Sequence, residues 1–301
     1  MSAELVCVGL ATRDLIVSLP RWPEPDGRLL AEPMRRAGGG PAATAAVAAA
    51  RLGRDVSFIG AVGSDSAGRA VRDELEAEGV DVSGLEERAG ATSESVILLD
   101  RSAATRSILH APGAALDDLP SPARARCETA RWIHVDHAGW PLVPGLPRER
   151  ISIDAGNPVP RLDLAGIGLY APTEASLRAR YGGASLGACV LAALDDGAHR
   201  VVVTLGRAGA VAADAGGAWR VGPAEAEVVS TLGAGDVFHG ALLAGLLEGL
   251  SLPEALRMAN VAAALSCRGL DGREAIPSRE ELRGAVAHAP APERSMLNEE
   301  P

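Results

Sequence analysis

Lysine is missing from this chain of 301 residues, so all 29 of its Lys and Arg residues are arginine. A Walker A phosphate loop, a Schiff-base enzyme and a protein-kinase nucleotide site each need a lysine amine. The sequence therefore excludes these three classes. Arginine, alanine, glycine and proline are all abundant, which is typical of a GC-rich genome and accounts for the absent lysine without a functional cause.

Paired cysteines, long apolar runs and an excess of basic charge are also missing. The cysteines lie far apart and form no CxxC pair, which predicts reduced thiols rather than disulfides or a zinc site at Cys7, Cys127, Cys189 and Cys267. No apolar run approaches the roughly 18 residues of a membrane span, and the N-terminus lacks a signal-peptide pattern. The formal net charge of -10 argues against nucleic-acid binding. We expect a cytoplasmic globular protein with neither a nucleic-acid nor a membrane partner.

Short β-type runs alternate with helix-type segments along most of the chain. The predicted strands are 4–9, 55–62, 132–135, 150–154, 166–170 and 200–205. The predicted helices are 41–52, 66–79, 186–195, 234–249, 253–268 and 279–287. This alternation indicates the α/β class, with a mostly parallel central sheet covered by helices on both faces.

Two extended segments, 15–31 and 95–110, interrupt that alternation because they contain turns but no helix pattern. We expect them to form a small β-sheet lid over a large domain made of residues 1–14, 32–94 and 111–288. The tail, 289–301, combines prolines with charged residues and has little to bury, so disorder is predicted there. An exposed lid sheet has edges that need cover, which indicates a homodimer formed through the lid.

The most informative segment is 230–242, which reads Ser-Thr-Leu-Gly-Ala-Gly-Asp-Val-Phe-His-Gly-Ala-Leu. Gly233 and Gly235 precede an apolar helix that carries Asp236 in its first turn. Free amides at a helix N-terminus bind anions without a lysine. A carboxylate there repels the anion unless it serves as a general base for a hydroxyl that attacks a phosphoryl group. The alternative is that Asp236 simply caps a buried helix.

Three motifs resemble the ribokinase-like carbohydrate kinases of the phosphofructokinase-B family. Gly-Ala-Gly-Asp at 233–236 looks like the C-terminal signature of that family. Gly-Gly-Gly-Pro-Ala-Ala-Thr at 38–44, with Val-Gly-Ser-Asp-Ser-Ala-Gly at 62–68, is similar to the N-terminal signature. Val-Thr-Leu-Gly-Arg-Ala-Gly-Ala at 203–210 resembles the nucleotide-loop strand. The three occur in family order and span nearly the whole chain.

The resemblance implies a ribokinase-like three-layer sandwich with a small β lid, and an ATP-dependent kinase that uses Mg²⁺. It assigns Asp236 as the base that deprotonates the acceptor hydroxyl. It also implies that Gly233, Ala234 and Gly235 form the anion hole for the transferred phosphoryl group.

The same resemblance implies the binding residues. Asp14 matches the acid that binds sugar hydroxyls, and a glycine hinge at the substrate is matched by Gly38, Gly39 and Gly40. The residues that would border the nucleotide are Thr204, Gly206, Gly209 and Asn260.

The sequence departs from the family pattern at three places. Ala43 replaces an asparagine that binds substrate. Ser230 replaces an aspartate, which puts a monovalent-cation site in doubt. The metal-tuning Asn-x-x-Glu motif is replaced by Thr-Glu-Ala-Ser at 173–176, which leaves Glu174 as the candidate for contact with hydrated magnesium.

The glycine-rich segments and residues 267–277 look most like those of bacterial 6-deoxy-6-sulfofructose kinases, which also lack that asparagine. In those enzymes a lid lysine and an arginine help to hold the sulfonate. Arg28 falls where the lysine would be, and His110 falls near an asparagine contact. The second arginine has no counterpart around residues 135–140.

The sequence therefore predicts a kinase that transfers the γ-phosphate of ATP to a primary hydroxyl of a ketohexose-type sugar, with 6-deoxy-6-sulfofructose as one candidate. A fructose, ribose or nucleoside kinase of the same family is the first alternative. With only two Phe and two Tyr in the chain, an aromatic nucleoside pocket is disfavoured. The second alternative is a non-catalytic sugar or nucleotide sensor.

Overall fold

A computed structural model describes residues 3–31, 34–100, 105–183 and 185–295. Most strands belong to a ten-stranded sheet with the order β14-β13-β12-β11-β10-β9-β8-β1-β4-β5. In chain order these strands are β1 (Leu5–Val8), β4 (Val56–Gly63), β5 (Asp81–Arg88), β8 (Trp132–Val135), β9 (Ile151–Ala155), β10 (Leu169–Pro172), β11 (Arg200–Thr204), β12 (Ala210–Asp214), β13 (Gly217–Val221) and β14 (Glu293–Arg294). Within this sheet the seven neighbouring strands β5, β4, β1, β8, β9, β10 and β11 are parallel, and β11, β12, β13 and β14 pair antiparallel.

Helices cover both faces of this sheet. They are α1 (Pro41–Arg51), α2 (Ser66–Ala77), α3 (Ser121–Thr129), α4 (Glu174–Tyr181), α5 (Leu186–Asp195), α6 (Ala234–Glu248), α7 (Leu252–Ser266) and α8 (Arg279–His288). Leu5 and Cys7 of β1 join the core beneath α1, α2, α6, α7 and α8, whereas Val6 and Val8 join the core beneath α3, α4 and α5. Since side chains alternate between faces, a central strand must be apolar throughout. The predicted α/β three-layer fold is confirmed.

A second, four-stranded sheet forms the lid, with the order β3-β2-β6-β7. Its strands are β2 (Thr12–Leu19), β3 (Arg35–Gly39), β6 (Glu94–Asp100) and β7 (Thr105–Ala111). The lid thus includes one strand, β3, that the sequence assignment placed in the large domain. β3 was not predicted as a strand because it ends in two glycines, which do not favour strands. It forms because its backbone pairs with β2.

Other elements also differ from the prediction. Five elements, β5, β12, β13, α3 and α4, were not predicted. Apolar residues are few in α3 and α4, β5 and β13 show no clear apolar period, and β12 is mostly alanine, which does not favour a strand. The predicted disorder of 289–301 is wrong for its described part. Glu293 and Arg294 pair with β13, and the Arg294 guanidinium lies 5.9 Å from the centre of the Trp219 ring. Residues 296–301 lie outside the described residues.

No helix in the described part of the chain is both long and apolar enough to cross a membrane.

Small residues allow α1 and α6 to pack closely. Residues 42–49 of α1 are buried, and all but Thr44 and Val47 are alanine. Gly240 of α6 faces this surface, where an added Cβ would overlap the carbonyl oxygen of Ala45 and lie 2.8 Å from the Ala48 Cβ. The N-termini of both helices therefore converge at the same edge of the sheet.

Replacing Gly240 with alanine is expected to destabilise the fold, although alanine favours helix. The new Cβ must push α1 away from α6, and overpacking of this kind costs about 1–3 kcal/mol. Gly284→Ala in exposed α8 is the matched control, because its Cβ would meet nothing within 4 Å. Urea denaturation should show a lower unfolding free energy for Gly240→Ala and an unchanged or higher one for Gly284→Ala. Equal values for the two variants would contradict the close packing.

Candidate functional site

A cavity of about 520 Å³ lies between the inner face of the lid and the carboxyl ends of the parallel strands. The lid contributes Asp14, Ile16, Ser95, Ile97, Arg106, Ile108 and His110. The strand ends contribute Asp154, Thr173 and Thr204, and α6 with its preceding loop contributes Thr231, Leu232, Gly233, Gly235, Asp236 and His239. Ligands of open α/β sheets bind in this position, outside the carboxyl ends of the strands.

Three glycines connect the lid to α1 at the cavity wall. A Cβ on Gly39 would overlap the Asp14 carboxylate, and one on Gly38 would overlap the Arg273 guanidinium. Gly40 has φ 93°, a conformation that favours glycine, and a Cβ there would overlap the Leu10 carbonyl. Close approach therefore disfavours a side chain at all three positions, and backbone conformation adds to this at Gly40 alone.

A buried carboxylate, Asp136, fixes the start of α1 beside these glycines. Its oxygens accept hydrogen bonds from the backbone amides of Leu10 at 2.9 Å and Ala42 at 3.2 Å. They also accept from the amides of Ala138 and Gly139, both at 2.9 Å. Asp136 therefore holds the loops after β1 and β8 and the first turn of α1 in one arrangement.

Asp14 lies on β2 and faces the cavity beneath the glycines. Its side chain is buried, and Thr12 Oγ1 donates a hydrogen bond to Asp14 Oδ1 at 2.7 Å. Burial raises the pKa of Asp14, although hydrogen bonds from Thr12 and Ser95 oppose that shift. Ser95 of β6 is the register partner of Asp14 on the neighbouring strand β2. The Ser95 hydroxyl is 3.3 Å from Nδ1 of His110 on β7. These polar groups suit the hydroxyls of a small polyol.

The loop before α6 presents backbone amides to the cavity. Gly233 caps the helix with φ 72°, and a Cβ there would lie 2.6 Å from the Gly272 Cα. Ala234 begins the helix, and a Cβ on Gly235 would meet no atom within 4 Å. The first amides of a helix have no acceptor within it, and together with the helix dipole they attract an anion.

Asp236 lies in the first turn of α6 and faces the same cavity. Removal of its carboxyl group from water, with the nearby Asp154 charge, raises the pKa of Asp236 to about 7. His239 and Arg273 act in the opposite direction. A carboxyl group with this pKa can accept a proton near neutral pH, which a surface aspartate does poorly.

Sequence reasoning missed the pairing of Asp154 with His239. Their Oδ2 and Nδ1 atoms are 3.4 Å apart, and the ring of His134 lies edge-on to His239 with centroids 5.6 Å apart. Burial disfavours the charged form of both side chains, but the attraction between the carboxylate and the imidazolium is larger. The pKa of Asp154 therefore falls to about 2, and the pKa of His239 rises. The only sequence signal for Asp154 was its place at the end of a predicted strand.

The structure brings most of the predicted site residues together. The cavity is lined by Asp14, Gly38, Gly39, Gly40, His110, Thr204, Gly233, Gly235 and Asp236. Six predicted residues are not among those that line it, namely Arg28, Glu174, Gly206, Gly209, Ala234 and Asn260.

Three of these six have other surroundings in the structure. Arg28 is exposed in the segment between β2 and β3. Asn260 Nδ2 donates to the Gly222 carbonyl at 2.9 Å. Glu174 pairs with Arg178 Nε at 2.9 Å. Among the residues that the structure describes, no group of three or more His, Cys, Asp or Glu side chains could hold a metal ion.

The lid is tied to the large domain by an ion pair. Arg35 of β3 places Nε 2.8 Å from Asp271 Oδ2 and Nη1 2.6 Å from Glu274 Oε1. Asp271 is buried and also accepts from the backbone amide of Arg273 at 2.8 Å. The neighbouring Gly272 packs on Gly233. The segment 271–274 therefore contacts both the lid and the loop before α6.

A sequence model described as pfkB family carbohydrate kinase matches residues 2–150 and 171–279. The chain belongs to the PfkB family of carbohydrate kinases. It is 28% identical to the ribokinase of Haemophilus influenzae, over 96% of this chain and 100% of that protein. It is 30% identical to the fructoselysine 6-kinase of Shigella flexneri, over 75% of this chain and 88% of that protein.

The fold agrees with solved ribokinases. An Arabidopsis thaliana ribokinase complexed with ribose and ATP superposes with a TM-score of 0.83, at 24% identity, over 96% of this chain and 100% of that one. A ribokinase of Thermotoga maritima gives a TM-score of 0.79, at 21% identity, over 95% of this chain and 100% of that one. Family membership makes the chain an ATP-dependent sugar kinase, a phosphotransferase with an alcohol acceptor.

Replacing Gly39 with alanine is expected to abolish sugar binding, because the Cβ would occupy the position of the Asp14 carboxylate. Nucleotide binding should persist, since the helix-end loop is untouched. Isothermal titration calorimetry with an accepted sugar and with ADP would measure both, and Gly284→Ala again serves as the control. Unchanged sugar affinity in Gly39→Ala would contradict the close approach.

Proposed function

We propose that this kinase transfers the γ-phosphate of ATP to a primary hydroxyl of a ketohexose-type sugar, with Asp236 as the general base. One observation carries the proposal: Asp236 and the N-terminus of α6 form one wall of a cavity whose opposite wall holds buried Asp14. A sugar held between the two carboxylates would have one end at Asp14 and its reacting hydroxyl at Asp236.

The proposed reaction needs one proton transfer and one displacement. The acceptor hydroxyl gives its proton to Asp236 while its oxygen bonds to the γ-phosphorus of ATP. The bond between that phosphorus and the β,γ-bridging oxygen breaks, and ADP leaves. The amides of Gly233, Ala234 and Gly235 would stabilise the charge on the oxygens of the transferred group. Positioning and charge stabilisation supply most of the catalysis in such transfers.

Sugar recognition would come from the lid end of the cavity. We propose that Asp14 binds hydroxyls, with His110 and the Gly38–Gly40 hinge around the same part of the sugar. Ile16, Ile97 and Ile108 form the lid wall here, and none of the described residues that line the cavity is Phe, Tyr or Trp. A nucleobase would find no Phe, Tyr or Trp ring to stack on, which favours a sugar over a nucleoside.

For the nucleotide we propose the residues that the resemblance implies. Thr204 ends β11 at the cavity and would border the phosphates. The loop with Gly206 and Gly209 follows directly, with positive φ angles of 59° and 93°. Asn260 would lie near the adenine. Its hydrogen bond to the Gly222 carbonyl would fix the backbone that follows β13 on that side of the nucleotide.

Magnesium fits the acidic wall of the cavity. The Asp154 charge helps to raise the pKa of Asp236, so the two carboxylates repel each other and a cation chelated by ATP would relieve that repulsion. Asp154 and Thr173 offer the oxygen donors that Mg²⁺ prefers, and Glu174 could contribute through water after release from Arg178. Bound magnesium would neutralise charge on the β- and γ-phosphates.

We propose that turnover is independent of a monovalent cation. Ser230 supplies a neutral hydroxyl, which accepts from the Leu232 amide at 3.1 Å, instead of a carboxylate.

We also propose a homodimer formed through the lids. The outer lid face exposes Val96 by 38% and Leu109 by 56%, and β3 and β7 are unpaired edges among the described strands. Such edges are usually covered in native proteins. Light scattering at micromolar protein concentration would measure the assembly.

The proposal of 6-deoxy-6-sulfofructose as the acceptor depends on the motif resemblance and on the cavity position of His110. Exposed Arg28 lends it no support in this structure. An ADP-release assay over 6-deoxy-6-sulfofructose, fructose, ribose and a nucleoside would identify the acceptor. Release with ribose alone would contradict the ketohexose proposal.

Replacing Asp236 with asparagine should lower kcat by about 10²–10⁴-fold, the usual contribution of a general base. Nucleotide affinity should change little, because asparagine keeps the shape of the helix end. Asp117→Asn, at an exposed position, is the matched control. Turnover of Asp236→Asn close to that of the wild type would contradict the assignment of the base.

The pH dependence should show the elevated pKa of Asp236. The base must be deprotonated, so kcat/KM should fall about tenfold per pH unit below pH 7. His239→Asn removes a positive charge that lowers the pKa of Asp236, and so the acid limb should move upward by about one pH unit. Exposed His199→Asn should leave it unchanged. An acid limb near pH 4 in the wild type would contradict the pKa assignment.

A further inference from the structure

One arginine from the lid reaches the mouth of the catalytic cavity. Arg106 lies on β7, which is exposed along its whole length, and its neighbours on the inner face are Ile108 and His110. Among the described residues it is the one arginine that lines the cavity, whereas the carboxylates of Asp14, Asp154, Asp236 and Asp271 line it as well.

Arg106 contacts the loop that leads into α6. Its Nη1 donates a hydrogen bond to Thr231 Oγ1 at 2.7 Å. The Thr231 carbonyl in turn accepts from the amide of Ala234 at 3.4 Å, so Thr231 belongs to the turn that presents the anion-binding amides. The guanidinium group therefore lies at the edge of the proposed phosphoryl site.

The charge of the cavity gives this position a function. Two of the four carboxylates have a cationic partner, since Asp154 pairs with His239 and Asp271 with Arg35. These two cations are engaged in their pairs, and a helix N-terminus offers a triphosphate only about half a positive charge. An arginine is always protonated and can bind two phosphate oxygens at once through its planar fork. The chain has no lysine that could do this.

We propose that Arg106 is a further catalytic residue, which leaves Thr231 when substrates bind and donates hydrogen bonds to the γ-phosphoryl oxygens of ATP. The inference rests on the proposed function. It adds no covalent step: the guanidinium stays protonated and stabilises the negative charge of the group that moves from ADP to the sugar oxygen.

The position of Arg106 on the lid couples phosphate binding to sugar binding. The γ-phosphoryl group would be held by the large domain, and a sugar bound at Asp14 would hold the lid, and with it Arg106, against that group. Sugar should therefore strengthen the binding of ATP but not that of ADP, which lacks the γ-phosphate. This dependence on bound sugar should also keep the hydrolysis of ATP slow when no acceptor sugar is present.

The variants Arg106→Ala and Arg106→Lys test the proposal, with Arg36→Ala as the matched control. Arg36 is an exposed arginine of the same lid, on β3, and it does not line the cavity. Two readouts are needed. Steady-state kinetics would use the sugar that the wild type accepts. Calorimetry would measure ADP and a non-hydrolysable ATP analogue, each with and without that sugar, and thermal melting would confirm folding.

We expect kcat of Arg106→Ala to fall about 10²-fold or more, at the lower end of the effect of arginines that stabilise transferred phosphoryl groups. Its KM for sugar should stay within about threefold of the wild type, since Asp14 and the hinge are intact. The sugar-dependent gain in affinity for the ATP analogue should disappear, with ADP affinity unchanged. Arg106→Lys should recover part of kcat and part of the sugar-dependent gain in affinity, because lysine keeps the positive charge but lacks the planar guanidinium that binds two oxygens.

Three results would overturn the proposal. Arg106→Ala could match Arg36→Ala in kcat and in analogue binding, which would leave Arg106 as a surface contact of Thr231. Its effect could appear as a raised KM for anionic sugars alone, which would assign Arg106 to the acceptor. Its affinities for ADP and the analogue could fall equally, which would exclude a specific γ-phosphate contact. If the wild type released ADP with no sugar, the proposed function would fail, while the analogue titration would still decide the role of Arg106.

Discussion

The close contact between α1 and α6 supports the rest of the site. Gly240 packs on the Ala45 backbone, and this approach brings two helix N-termini to the same edge of the central sheet. One helix starts after the glycine hinge and the other after the helix-end loop. Larger side chains at this contact would separate the glycine hinge beside Asp14 from the wall that holds Asp236. The small side chains of α1 are thus a geometric requirement of the site.

Charge balance is the second constraint on the cavity. Four aspartates line it, and two of them have a cationic partner: Asp154 pairs with His239, and Asp271 pairs with Arg35 of the lid. Asp136, which does not line the cavity, accepts hydrogen bonds from four backbone amides. Asp236 has less compensation, so its pKa rises towards neutrality. In a chain without lysine, positive charge enters through helix ends, histidine and arginine, and two of the arginines come from the lid.

Much of the fold and part of the site could be predicted from the sequence because their signals are local. The alternation of strand and helix patterns predicted the layers of the sheet. A glycine pair followed by an apolar helix predicted the anion site at Gly233–Asp236. Strands such as β5 and β13 escaped prediction, since their formation depends on pairing with neighbours rather than on an apolar pattern. The tail strand, Glu293–Arg294, depends in the same way on β13 and on Trp219.

The sequence by itself determined the family, the place of the helix-end loop and the identity of Asp14 and Asp236, because each depends on a short motif. Only the tertiary structure decided which charged residues from distant parts of the chain lie beside these motifs. Asp154 and His239 are separated by 85 positions yet form a pair, and Arg106 reaches Thr231 across 125 positions. Arg28, assigned by motif position, stays outside the cavity. A motif records local backbone geometry, whereas the direction of a long side chain depends on strand register and on where the lid lies.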